Sequence, residues 1–117
     1  MLSFWLTIFV QASKGDGEKV APPMKVKLRY LCFKNLAAIQ EARGRERLAL
    51  KNYLRATELD TSDGVVWYHV GCLACQENNL ALARYAFEKG LVVNSKNWLC
   101  LEKLAQVCAK IARFTFD

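Results

Sequence analysis

Apolar residues recur at steps of three and four along most of the chain from Lys25 onward. The first such run contains Leu28, Leu31, Cys32, Leu36 and Ile39. This spacing places apolar side chains on one face of an α-helix, so it predicts an amphipathic helix that ends near Gly44. No segment of comparable length alternates apolar and polar residues as a strand would. The pattern therefore predicts an all-α fold.

Four further helices follow the same rule and are separated by short polar breaks. Their predicted ranges are 48–59, 66–76, 80–93 and 98–111. The segment "DTSDG" at 60–64 carries Thr, Ser and Asp side chains that can cap the start of the third helix. The other breaks are "ARGRER", "NN" at 78–79 and "NSKN" at 94–97.

The helices also repeat along the chain with a period of 34 residues. The shift pairs Phe33 with Trp67, Leu36 with Val70, Ala37 with Gly71, Ala49 with Ala83, Tyr53 with Phe87, and Ala56 with Gly90. A further shift brings Leu101, Leu104 and Ala105 onto the first helix of a third repeat. Such periodicity predicts pairs of antiparallel helices that bury their apolar faces only by stacking on one another. We predict a helical region at 25–113, with repeats at 30–63 and 64–97 and a partial repeat at 98–113.

The matched positions suggest how the repeats pack. The small residues Gly71 and Ala83 allow helix backbones to approach closely, and the aromatic residues Trp67 and Phe87 fill the space between repeats. Tyr53 and Trp98 stand at equivalent helical spacing, so they are also expected in the core. The last helix has no capping helix after it, which leaves apolar surface around Leu101 and Leu104. We therefore expect association or marginal stability.

Residues 1–24 lie outside the predicted repeats. The segment Met1–Val10, "MLSFWLTIFV", is too short to span a bilayer, which needs about 20 apolar residues. A secretory signal remains an alternative, although no positive residue precedes the apolar run. We favour a short packing helix or an atypical start, followed by a linker over Ser13–Met24 that ends in two prolines.

Composition limits the chemistry that the chain can perform. The chain has 117 residues, a net charge of +6 and five cysteines. The segment "WYHVGCLAC" holds the only histidine, His69, and the pair Cys72 and Cys75. A structural zinc site needs four ligands and a thioredoxin-like site needs a preceding strand, so packing within a helix is the favoured interpretation. We predict no metal, no cofactor and no enzymatic activity, because no acid–base pair or nucleophile stands beside His69.

The second repeat resembles the tetratricopeptide (TPR) repeat. Trp67, Gly71, Ala83 and Phe87 stand at its signature positions, while Ala74, Gly90 and Ser95 depart from it. The resemblance implies a TPR α-solenoid of about two and a half repeats.

A narrower resemblance is carried by "FKNLAAI", "ALKNYLRATELDTSDGVVWYHVG" and "LARYAFEKGLVVNSKNWLCLEKL". These segments resemble the N-terminal TPR region of the calcineurin-binding (cabin-type) proteins, which are large nuclear subunits of the HIRA-type histone chaperone complex. The resemblance implies a scaffold that binds protein partners, such as subunits of that complex, during nucleosome assembly. It also implies a nuclear location, with the cytoplasm as the alternative. Because family members are far longer, this chain is expected to be a fragment or a truncated form.

The resemblance further implies a partner-binding groove lined by the first helix of each repeat. The predicted groove residues are Lys34, Asn35, Tyr68, His69, Cys72, Gln76, Lys103 and Gln106. Lys34, His69 and Lys103 are candidate contacts for an acidic segment of a partner.

Two other functions stay open. One is a generic TPR adaptor in another complex. The other is a basic helical module that binds nucleic acid, suggested by the net charge and by "KVKLR" and "ARGRER". We expect neither a small-molecule substrate nor membrane association.

Overall fold

A computed structural model describes residues 25–116, and every regular element in this range is an α-helix. The five helices are α1 (Val26–Ala42), α2 (Glu46–Leu59), α3 (Gly64–Gln76), α4 (Leu80–Val93) and α5 (Trp98–Phe116). The predicted all-α class is therefore confirmed for the described part of the chain. The apolar segment and linker predicted over 1–24 lie outside the described residues.

The described helices fall into two compact units, divided between Thr61 and Ser62. The first unit contains α1 and α2, and the second contains α3, α4 and α5. Antiparallel pairing of neighbouring helices within a unit is compatible with TPR repeats. The assignment of the repeat type and the predicted repeat boundaries stay predictions.

The described part of the first unit, residues 25–61, is a helix pair with an aromatic and alanine core. Tyr30, Phe33 and Ala37 of α1 are buried, as are Ala49, Tyr53 and Ala56 of α2. The turn between the helices passes through Gly44, whose φ of 78° lies in the left-handed region that favours glycine. The predicted apolar face of α1 was partly wrong, because Leu28 and Leu31 are exposed.

Two side-chain hydrogen bonds connect α1 and α2. Asn52 Nδ2 donates to Gln40 Oε1 at 2.8 Å, and the Tyr53 hydroxyl donates to Glu41 Oε1 at 3.1 Å. Asn52 is buried, so its partner offsets the cost of removing its amide from water. These bonds fix the register of the pair at the end of α1 near the turn.

The second unit is built around a cluster of buried residues from all three of its helices. The cluster consists of Ala74, Ala83, Phe87, Cys100 and Val107. Asp63 caps α3 as predicted, and its carboxylate accepts a hydrogen bond from the Val65 amide at 2.9 Å. Asn79 does the same for α4, since its side chain accepts from the Leu82 amide at 3.1 Å. These caps satisfy amides that the first turn of each helix leaves unpaired.

The last helix differs from its prediction in length and in one core residue. α5 extends to Phe116 rather than ending near Ile111. Tyr53, Trp67 and Phe87 are buried as expected, but the placement of Trp98 in the core was wrong, since its side chain is 66% exposed. Trp98 is the first residue of α5 and lies on a face of that helix different from the one that enters the core.

Candidate functional site

A candidate site lies in the second unit where polar and sulfur-bearing residues of α3 and α5 come together. We call it the α3–α5 face and define it by Tyr68, Cys72, Cys75, Lys103 and Lys110. The three α3 residues follow steps of four and three, which places them on one side of that helix. Lys103 and Lys110 are two helical turns apart on α5, and both lie close enough to Cys75 to affect its electrostatics. Packing of α5 onto the same unit therefore brings two cations to the cysteine side of α3.

The Cys75 thiol at this face and the neighbouring buried Cys100 thiol both favour the protonated form. Burial raises the pKa of the Cys75 thiol, and the two lysines only partly oppose that effect. Burial also raises the pKa of Cys100, and nearby Cys72 raises it further. The thiolate is the form that attacks disulfides and binds metals, so Cys75 and Cys100 are poor candidates for either chemistry at neutral pH.

Tyr68 lies at the end of the face nearest the start of α3. A hydrogen bond with Cys72 is the main cause that raises the pKa of its phenol, with burial next and the Glu102 carboxylate contributing. Its ring lies 6.1 Å from the Phe87 ring and 5.9 Å from the His69 imidazole, centroid to centroid. Tyr68 thus joins the core to the surface and presents a hydroxyl that stays protonated.

The predicted groove residues fall in both units. Tyr68, His69, Cys72 and Lys103 are half-buried, while Gln76 and Gln106 are exposed. Lys34 and Asn35 belong to α1 of the first unit, where Lys34 Nζ lies 5.9 Å from the centre of the Tyr30 ring. Tyr68 and Cys72 are joined by a hydrogen bond, and Lys103 acts electrostatically on Cys75, one turn further along α3. A continuous groove that also includes Lys34 and Asn35 stays a prediction.

The sequence reasoning missed Lys110. It lies seven residues after Lys103, which places the two side chains on the same side of a helix. The prediction that α5 ends near Ile111 left Lys110 in the final turn, outside the part matched to earlier repeats. The seven-residue spacing from Lys103 was the one sequence signal that could have identified Lys110.

The described residues hold neither a cluster of metal ligands nor a membrane-spanning helix. Over 25–116, no group of three or more His, Cys, Asp or Glu side chains is arranged to hold a metal ion. Within the same range, no helix is both long and apolar enough to cross a bilayer. The α3–α5 face presents two cations, two partly exposed thiols and a phenol.

Comparison with known proteins identifies relatives of the chain. Residues 8–113 match the family described as the CABIN1 N-terminal domain. The protein described as calcineurin-binding protein 1 from Arabidopsis thaliana is 44% identical over 82 residues, which cover 68% of this chain. The same alignment covers 4% of that relative, so the chain spans a small part of the length of the protein it matches. Since the family match extends over most of the 117 residues, the chain belongs to the CABIN1 N-terminal domain family.

Proposed function

We propose that this chain is a protein-binding scaffold segment that contacts an acidic part of its partner through the α3–α5 face. The observation that carries the proposal is that Lys103 and Lys110 stand on one side of α5, seven residues apart, and both act electrostatically on Cys75 of α3. Two cations on one side of α5 attract carboxylates, and the neighbouring half-buried Tyr68 and Cys72 add apolar contact area. Such a combination suits a helix or an extended segment with acidic residues along one edge.

The proposal includes a nuclear role in histone-chaperone assembly, with subunits of a HIRA-type complex as partners. Support comes from membership of the CABIN1 N-terminal domain family, joined to the cabin-type resemblance of the sequence. The relative from Arabidopsis is described as a calcineurin-binding protein, so calcineurin is a second partner to examine. We propose no catalytic activity for the chain.

The test is a pull-down from nuclear extract with the immobilised 117-residue chain, followed by identification of the retained proteins. The variant carries Lys103→Gln together with Lys110→Gln, which removes both cations and keeps side chains of similar length. Exposed ion pairs contribute about 0.2–1 kcal/mol each, so the loss of two should weaken binding of the purified partner by about twofold to thirtyfold.

A matched control carries Lys27→Gln together with Lys96→Gln. Both lysines are exposed and neither belongs to the α3–α5 face, so the net charge falls equally while the face is intact. Equal retention of every partner by the parent and by the Lys103 and Lys110 variant would contradict the proposed face. Retention of partners unrelated to chromatin would favour the generic adaptor. Binding to DNA that falls steeply with salt, without any protein partner, would favour the nucleic-acid module.

A further inference from the structure

A cavity lies in the first unit, between the start of α1 and the end of α2. Its volume is about 370 Å³, and its lining consists of Arg29 and Phe33 from α1 with Arg55, Glu58 and Leu59 from α2. We call it the arginine pocket. It shares no residue with the predicted groove or with the α3–α5 face, and its volume falls in the usual range of pockets that hold a small ligand.

The two guanidinium groups of the arginine pocket are partly shielded from water. Arg29 and Arg55 are both half-buried. Arg55 Cζ lies 5.9 Å from the centre of the Phe33 ring, a distance at which a cation is attracted to an aromatic ring. A guanidinium presents its N–H donors in one plane, in a geometry that matches the two oxygens of a carboxylate. Partial burial strengthens such a contact because water and salt screen it less.

Arg29 contributes a buried donor that has no acceptor. Among the described residues, its Nε is the one buried side-chain nitrogen or oxygen without a hydrogen-bond partner. A donor in this state costs free energy, because it has lost its hydrogen bonds to water and gained none from the protein. A carboxylate oxygen that accepts from Arg29 would offset that cost. The orphaned Nε therefore indicates an anionic ligand rather than an apolar one.

The start of α1 adds to the positive potential at the arginine pocket. Arg29 is the fourth residue of α1, within the turn whose backbone N–H groups lack helical acceptors. Lys25 provides no side-chain cap, and the first turn contains no acidic residue. The positive end of the helix dipole is therefore not offset by a carboxylate of α1, so an anion bound nearby would be stabilised.

The corresponding location in the second unit is open, although chain precedes and follows that unit. One repeat period after the pocket residues stand Asp63, Trp67, Lys89, Val92 and Val93. Val92, the counterpart of Glu58, is 81% exposed. The neighbouring parts of the chain thus leave this position of a helix pair uncovered. Because Asp63 replaces one arginine and lysine the other, the arginine pair is specific to the first unit.

The Glu58 carboxylate limits the charge that the arginine pocket accepts. Two guanidinium groups face one carboxylate in the lining, so a single bound carboxylate neutralises the excess positive charge. A phosphoryl group carries close to two negative charges at neutral pH, and Glu58 would repel it more strongly. The apolar side chains of Phe33 and Leu59 can contact a residue next to the bound carboxylate.

We propose that the arginine pocket binds the side-chain carboxylate of an aspartate or glutamate that stands beside an apolar residue in a protein partner. Arg29 and Arg55 hold the carboxylate, and Glu58 disfavours phosphorylated side chains. The pocket belongs to the first unit and the α3–α5 face to the second. Variants of one therefore leave the other intact, and the pocket is independent of the function proposed for that face.

NMR titration of the isotopically labelled full chain with acetyl-glutamyl-leucine amide tests the arginine pocket. The Nε–H signals of Arg29 and Arg55 should shift in a saturable manner. The glutaminyl analogue lacks the charge and should bind at least about tenfold more weakly. The phosphoseryl analogue should also bind more weakly than the glutamyl peptide. Equal binding of the glutamyl and glutaminyl peptides, or tighter binding of the phosphoseryl peptide, would overturn the proposal.

Substitutions in the pocket separate its charge from its geometry. Arg55→Gln should raise the dissociation constant of the glutamyl peptide about tenfold. Arg55→Lys keeps the charge without the planar donors, so it should raise the constant less. Glu58→Gln should lower the constant severalfold and remove the discrimination against the phosphoseryl peptide. A Glu58→Gln chain that binds the glutamyl peptide no better than the parent would contradict the role of Glu58.

The matched control carries Arg43→Gln together with Arg45→Gln. Both arginines are exposed in the turn between α1 and α2, at the other end of the helix pair. The dissociation constant should stay at the parent value, and backbone amide spectra show whether each variant keeps its fold. A control as weak as Arg55→Gln would reduce the binding to general attraction by a basic chain.

The N-terminal segment of the chain is an alternative occupant because it carries Asp16 and Glu18. Asp16→Asn together with Glu18→Gln in the full chain should leave the dissociation constant of the glutamyl peptide unchanged. If these changes tightened binding about tenfold, the segment itself would compete for the arginine pocket, and the assignment to a partner would be wrong.

Discussion

At two glycines of the second unit, a neighbouring side chain fills the space that a Cβ would take. A Cβ at Gly71 would overlap the ring of Phe87. A Cβ at Gly90 would lie 2.6 Å from Cys100 Sγ and 3.8 Å from Trp67 Cβ. The second case explains a departure from the TPR pattern, which favours alanine at that position. The thiol of Cys100 fills the space that an alanine methyl group would take.

Gly71→Ala should therefore destabilise the chain although alanine is the better helix former. The helix propensity of alanine contributes about 1 kcal/mol, whereas overpacking a filled core costs about 1–3 kcal/mol. Because Phe87 is fully buried and its ring would overlap the added Cβ, the cost of the overlap should exceed the gain in helix propensity. Chemical denaturation followed by circular dichroism measures the difference in the free energy of unfolding.

Gly64→Ala serves as the control for helix propensity. The closest atom to a Cβ at Gly64 would be 3.8 Å away, an ordinary contact distance. This variant should match or exceed the parent in stability. If Gly71→Ala were as stable as Gly64→Ala, the proposed contact between Gly71 and Phe87 would not determine the choice of glycine.

The raised pKa of the Tyr53 phenol should make the free energy of unfolding depend on pH in the alkaline range. Burial raises its pKa above the ordinary value of 10.0, and the Glu41 carboxylate that accepts its hydrogen bond raises it further. The unfolded chain loses this proton first, so the stabilisation is complete below about pH 10 and is lost as pH rises through the folded-state pKa. Tyr53→Phe removes the hydrogen bond, which contributes about 1 kcal/mol. The stability gap between parent and variant should hold at neutral pH and narrow above about pH 10 in denaturant titrations.

At the scale of elements, the starts of the helices differ in how they are capped. α3 and α4 begin with Asp63 and Asn79, whose side chains accept backbone hydrogen bonds, whereas α2 begins after Arg45 without a side-chain cap. α3 also has no acidic residue in its first turn, so Asp63 supplies the only negative charge there. The cap therefore contributes both a hydrogen-bond acceptor and a favourable interaction with the helix dipole.

Asp63→Ala should lower the free energy of unfolding by about 1 kcal/mol, and Asp63→Asn should lower it by less. Asparagine keeps the acceptor and loses the charge, so the two variants separate the hydrogen bond from the dipole term. Thermal melts of the three proteins measure the order. Equal melting temperatures for parent and Asp63→Ala would contradict the role of the cap.

The helices were largely predictable because the residues at each boundary determine where a helix begins and ends. α4 begins and ends at the predicted residues, since Asn79 caps its start and Asn94 ends it in an extended conformation. The end of α5 was misplaced because "ARFTF" contains no glycine or proline to stop a helix. The cap at Asp63 could be predicted from the "DTSDG" segment because capping depends on the residues next to the helix start.

The site was less predictable than the elements because it depends on packing between helices. Spacing along α3 placed Tyr68 and Cys72 on one side, but it could not show that Lys103 and Lys110 of α5 lie beside Cys75. Trp98 was misplaced for a related reason. Its spacing fits the apolar pattern, yet the stripe to which it belongs is not the one that faces α4.

At the scale of the whole molecule, the two compact units differ in what they can bury. The second unit has three helices around a cluster that draws on each of them, centred on Phe87. Over residues 25–61 the first unit has two helices, and a single helix pair buries its apolar face poorly when alone. Small domains of this size gain only about 3–5 kcal/mol from their cores. The apolar surface that a third helix buries is therefore a large part of the net free energy of folding.

We therefore expect the segment 62–117 to fold on its own, while the segment 25–61 does not. The isolated second unit should give a cooperative thermal transition by circular dichroism, and 25–61 should lose helicity gradually. Phe87→Ala should abolish the transition, because deleting a buried phenylalanine costs about 3–5 kcal/mol, as much as such a core supplies. Tyr85→Ala is the control, since the Tyr85 ring is 50% exposed and its removal should lower the transition only slightly. A non-cooperative 62–117 would mean that the cluster around Phe87 does not stabilise the unit without the preceding helices.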